Sequence, residues 1–129
     1  MKVRFFAFEW QMGRGITLQD FIAHLKSLSG RNIGNRIIAI TERDGYAAGV
    51  LLTIRNVRAF CKMTQDGGSF RVEAQELGDA DSIADFNYFI INPITGRGLY
   101  QHYHHSPASN TFCKFVKKQY DSYRLMRID

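Results

Sequence analysis

The chain has 129 residues, a net charge of +5 at neutral pH, 45% hydrophobic and 22% charged residues. These values describe one ordinary soluble domain, long enough for its own hydrophobic core. They exclude a membrane-spanning helix, since no apolar run approaches roughly 20 residues, and the first eleven residues lack a signal peptide's apolar core and cleavage site. The chain therefore reads as cytoplasmic, with no membrane partner. Cys61 and Cys113 lie far apart without metal-ligand spacing, as buried free thiols would in a reducing compartment.

The positive charge is unevenly spread. Residues 1–63 hold ten Lys/Arg against four acids, residues 64–96 one against six, and residues 97–129 six against two. Two basic segments thus flank an acidic middle, which allows a basic face to meet a polyanion.

Val3, Phe5 and Phe8–Trp10 predict a first strand, and Gln11–Ile16 a loop around Gly13-Arg14-Gly15. No Walker-type lysine and hydroxyl follow those glycines, so they do not make a phosphate cradle. Thr17 and Asp20 resemble a capping box, and Leu18, Phe21, Ile22, Leu25 and Leu28 form one apolar stripe. A helix over about 17–29 follows, ended by Gly30, with His24 at the flank of the stripe as a packed or surface histidine. Arg31 to Arg36 reads as a basic loop. Ile37–Thr41 and Ala47–Ile54 are predicted strands around an Asp44-Gly45 hairpin turn. Ala59–Thr64 and Phe70–Gln75 repeat the pattern around Asp66-Gly67-Gly68. Leu77–Asp85 reads as a solvated acidic connector. Its Asp79, Asp81 and Asp85 lack the central glycine and final glutamate of a calcium loop. A closing helix over about 109–125 starts after Ser106-Pro107. It sets Phe112, Phe115, Val116, Gln119, Tyr120 and Tyr123 against Lys114, Lys117, Lys118, Asp121 and Arg124. The fold class is α+β: an antiparallel sheet of about five to seven strands built from hairpins, with two helices packed on it. Residues 1–129 form a single domain, read as complete or as the N-terminal domain of a longer protein.

The densest chemistry lies in Asn87–Ser106, two aromatic-rich runs around Asn92-Pro93-Ile94-Thr95-Gly96-Arg97-Gly98, which predict a further hairpin. Along the second run Leu99, Gln101, Tyr103 and His105 alternate with Tyr100, His102 and His104. Three chemistries fit these residue types. His102 and His104, two apart on one strand face, could share a metal ion, yet no H-E-x-x-H, C-x-x-C or paired-carboxylate pattern accompanies them. Arg97, Tyr100, His102 and His104 could cleave RNA without metal, histidine acting as acid or base and arginine bearing phosphate charge. Binding without chemistry asks less: Arg97, Tyr100, His102, His104, Lys114, Lys117 and Lys118 supply cations for phosphates and rings for bases or sugars.

The strand, the TLQDFIAHLKSL helix, the RIIAITERDGYAAGVLL hairpin and ADFNYFIINPITGRGLYQHYHHSPASNTFCKFVKK together resemble the N-terminal part of the lambdoid phage-exclusion (Rex) proteins and related anti-phage domains. That resemblance implies a non-catalytic, DNA-sensing or self-associating module of phage–host conflict. The leading expectation is accordingly a nucleic-acid-binding module, DNA favoured, without cofactor or metal, that uses those seven residues. The alternatives are a protein-interaction module, as an oligomerisation domain or a phage-encoded inhibitor of a host defence complex, and a small histidine- or metal-dependent nuclease.

Overall fold

A computed structural model of the protein describes residues 2–55, 61–66, 69–74, 84–103 and 105–126. The elements run β1 (Val3–Glu9), α1 (Leu18–Ser27), β2 (Asn32–Ile33), β3 (Arg36–Arg43), β4 (Tyr46–Ile54), β5 (Cys61–Asp66), β6 (Ser69–Ala74), β7 (Ala84–Ile91), β8 (Arg97–Tyr103) and α2 (Ser109–Met126). Six strands form one antiparallel sheet in the order β1-β8-β7-β4-β3-β2, and β5 and β6 pair separately. The α+β class and both helices are therefore as the residue pattern predicts. Two details differ. The Arg31–Arg36 loop contains the two-residue strand β2. Asp85, read as part of a solvated connector, is a buried residue of β7, while the rest of that connector lies outside the described residues except Ala84. The Gly67-Gly68 turn also lies outside them. Among the described residues no helix is long and apolar enough to cross a membrane.

Local chemistry explains the main elements. The β3–β4 turn is Asp44-Gly45, both at positive φ (53° and 81°), the conformation a two-residue turn needs to match the strands' twist. Thr17 caps α1 by accepting a hydrogen bond from the Asp20 N–H at 3.1 Å. Phe21, Ile22 and Leu25 of that helix are buried, as their spacing requires.

Both helices cover the same face of the sheet. Strand pairing puts Phe6, Phe8, Tyr100, His102, Phe89 and Ile91 on that side, and Val3, Phe5, Leu99, Tyr88 and Ile90 on the other. Rings dominate the covered side. Phe112 of α2 lies 4.7 Å from the Tyr100 ring, 4.8 Å from Phe89, 5.4 Å from Phe8 and 6.0 Å from Trp10. The sheet makes room for them with glycine. A Cβ on Gly49 would stand 2.5 Å from the Phe89 ring, and one on Gly98 2.5 Å from the Phe8 ring.

His24 stacks on Tyr123 at 4.5 Å, joining α1 to α2. It is thus a packed histidine, and burial pushes its pKa below the ordinary 6.5. The unfolded chain takes up this proton more readily than the folded one. Stability should therefore be insensitive to this group well above pH 6.5, and should fall as pH drops through 6.5 until His24 is protonated in both states. Thermal unfolding between pH 7.5 and 5 checks this: His24→Gln should flatten that part of the profile, and an unchanged slope would refute the assignment.

Candidate nucleic-acid interface

The structure separates the residues that the sequence grouped. Arg97 is exposed on the helix-free face of the sheet, whereas Tyr100 and His102 point the opposite way. Tyr100 is 0% exposed, sealed under Phe112, so it contacts no ligand and is withdrawn from the candidate surface. Burial pushes its hydroxyl far above the usual tyrosine range, and that hydroxyl donates to the Pro107 carbonyl at 2.8 Å. His102 is half-buried, edge-on to Phe6 with centroids 5.9 Å apart, and its Nε2 lies 3.2 Å from the Ser106 carbonyl. His104 lies outside the described residues.

These contacts belong to a structural knot that fastens β8 to the start of α2. The fully buried Asn87 donates from Nδ2 to the Gln101 carbonyl at 3.0 Å and to Ser106 Oγ at 2.9 Å. Ser106 Oγ in turn donates to the Tyr103 carbonyl at 2.6 Å and accepts from the Tyr103 N–H at 3.1 Å. The Tyr103 hydroxyl accepts from the Phe86 N–H at 2.9 Å and donates to Asp85 Oδ1 at 3.3 Å; burial raises its pKa. Arg55 completes the set, its Nη1 3.6 Å from Asp85. A buried carboxylate is tolerated because a cation and a hydroxyl meet it. Tyr100, His102 and Tyr103 are thus engaged in anchoring contacts, and among the described residues Arg97 lies on the opposite face of the sheet from Tyr100 and His102. Among the described residues no group of three or more His, Cys, Asp or Glu side chains is placed to hold a metal ion.

The α2 cations divide too. Lys117 borders an apolar groove of about 250 Å³ on the α1 side, with Trp10, Phe21 and Tyr120. Lys114 and Lys118, one helical turn apart, border a different cleft of about 450 Å³ between α2 and the β2–β3 turn. There they meet Arg36, a residue that the chain order places far from them. Asn35 and Thr111 add polar groups, and no described lining residue is acidic.

Arg36 is held in place from several sides. Its turn is tied down by the Ile54 N–H, which donates to the Asn35 carbonyl at 2.8 Å. Its guanidinium carbon lies 6.0 Å from the centre of the Phe115 ring, within cation–π range. Its Nε is a buried donor that meets no acceptor among the described residues. A cation packed on a ring beside two lysines is suited to receive phosphate oxygens.

No protein family model, curated protein sequence or solved structure matches this chain. The reading of the site rests on its own geometry. The sequence pattern marks 31–36 as basic but does not single out Arg36 as a site residue. Its partners lie on α2, and only the pairing of β3 into the sheet beneath that helix brings them together.

Proposed function

We propose that this chain is a non-catalytic nucleic-acid-binding module, with DNA the favoured ligand, that contacts the phosphate backbone through the α2 cleft. The observation that carries this reading is the convergence of Arg36, Lys114 and Lys118 on one cleft without an acidic described residue in its lining. Three cations on a concave surface act as point contacts for successive phosphates. The net charge of +5 adds long-range attraction. A place in phage–host conflict follows from the resemblance to phage-exclusion domains alone and forms the biological side of the same proposal.

The test is a salt titration of binding to labelled single- and double-stranded DNA and RNA, with the integrity of the nucleic acid followed on a gel. Neutralising Arg36, Lys114 and Lys118 together by glutamine should weaken binding at low salt by tenfold or more. It should also make the logarithmic salt slope for duplex DNA shallower by about 2 to 3, near 0.9 for each phosphate that is no longer neutralised. Lys117→Gln, on the other flank of the helix, should change both far less. A triple variant with the wild-type slope would refute the cleft, and degraded nucleic acid would favour the histidine- or metal-dependent nuclease instead.

A further inference from the structure

We propose that the helix-free face of the sheet is the interface of a symmetric dimer, its occupant a second copy of this chain. Antiparallel sheets with helices on one side usually turn polar side chains outward on the other. Here the outward positions of β1, β8, β7 and β4 hold Val3, Phe5, Leu99, Ile90, Tyr88 and Tyr46, all exposed. The pairings Leu99–Ile90 and Ile90–Ala48 make this one continuous patch rather than scattered residues. Exposure fades toward the opposite corner, where Ile37, Leu52 and Ala84 are buried on the same face, so the bare area is bounded.

Its size matches an interface. Phe5, Tyr88 and Tyr46 are 64%, 57% and 48% exposed, which at roughly 200 Å² for a whole aromatic side chain leaves about 340 Å² bare on three rings alone. The three aliphatic residues, Ala7, Ala48 and the charged rim bring the face toward the ~800 Å² that each partner buries in a standard interface. Its apolar part alone lies in the upper range of the ~300–600 Å² that the largest patch on a monomer reaches, a size that is often functional.

Charge placement favours a second copy. Glu9 ends β1 directly across from the exposed Arg97 of β8, and Arg43 ends β3 beside Tyr46. Glu9 and Arg43 are both exposed on this face and at the same end of the sheet, but on opposite flanks of the patch. A two-fold axis parallel to the strands, running between β8 and β7, lays each β8 on the other copy's β7 and each β1 on its β4. Leu99 then meets Ile90, and Glu9 of each copy reaches the Tyr46–Arg43 corner of the other. One operation satisfies both corners, as an isologous interface requires. Sheets packed face to face in this way form an ordinary two-layer core about 10 Å thick. The surface is remote from the Arg36 cleft, which lies on the helix side, so this inference stands or falls separately from nucleic-acid binding.

The experiment is sedimentation velocity of the whole chain from about 1 to about 100 µM, a range in which interfaces of this size associate. Wild type should shift from monomer to dimer with rising concentration and go no further. Tyr88→Glu and Leu99→Glu, both at exposed positions, should raise the dissociation constant at least tenfold while leaving the circular dichroism spectrum and melting temperature of the monomer unchanged. Glu9→Arg or Arg43→Glu alone should weaken the dimer several-fold, and the double exchange should restore it. Restoration supports a second copy in this orientation. A monomer throughout the range, a dimer indifferent to Tyr88→Glu, or a monomer that instead holds a different protein on this face would overturn the proposal.

Discussion

Phe112→Ala should cost about 3–5 kcal/mol of unfolding free energy, the range for emptying a buried aromatic site. Among the described residues Phe112 is the one ring that touches β1, β7, β8 and Trp10 together, and it is completely buried. Its loss leaves a hole walled by other rings, which are stiff and fill space poorly by relaxation. Domains of this size have about 5–15 kcal/mol in all, so the variant should melt about 12–20 °C lower. Phe112→Leu keeps most of the volume and should lose much less. Urea unfolding of both measures the difference, and a Phe112→Ala loss below about 1 kcal/mol would show that α2 is not the keystone of the core.

Gly96→Ala should be a severely damaging single-methyl change, because strain and a clash act together there. Gly96 adopts φ 77°, which costs an alanine about 1–2 kcal/mol. A Cβ there would also overlap the Trp10 carbonyl oxygen. That carbonyl has little room to retreat, because the Trp10 N–H is bonded to the Gly96 carbonyl at 2.8 Å and the indole is packed in the core. Gly96 is fixed from its other side by its own N–H, which donates to the Asn92 carbonyl at 2.8 Å. Gly15 supplies the control: its φ is 79°, yet nothing lies within 4 Å of its missing Cβ. Gly15→Ala should therefore show the conformational cost alone, about 1 kcal/mol. Gly96→Ala should lose about 2 kcal/mol more, the range for forcing extra volume into packed structure. Equal melting temperatures for the two variants would show that the β1–α1 connection yields.

The fold was legible in the sequence because most of its signals are local. The stripe Phe21-Ile22-Leu25, the Asp44-Gly45 turn and the split of α2 into ring and lysine sides are each decided by neighbours within a few residues. The site was less legible, for one physical reason. Alternation along β8 correctly sorts Tyr100 and His102 from Leu99, Gln101 and Tyr103, but period two does not say which set faces the core. Leucine outside and tyrosine inside reverses the usual preference. It holds here because the Tyr100 hydroxyl has a carbonyl to bind and its ring a partner in Phe112. Tyr100 and Tyr103 therefore serve anchoring, and the bonds that Asn87 and Ser106 make at the two ends of the same stretch are set by tertiary contact rather than by spacing. Arg36 illustrates the converse, since its relation to Lys114 and Lys118 exists only through tertiary packing.

The order of the strands has a consequence for synthesis on the ribosome. β1 emerges before the other described strands, yet its partner is β8, and Val3 pairs with Tyr103. The hairpin of β3 and β4 is adjacent in sequence and can form as soon as both strands are out. The segment VRFFAFE must wait until roughly a hundred further residues have been made. At ≈ 5–20 residues per second this delay lasts about 5–20 s. Throughout it, three phenylalanines in an extended, proline-free segment are without their native neighbour. Nascent chains should thus depend on chaperone cover of the Val3–Glu9 segment until β8 has been made.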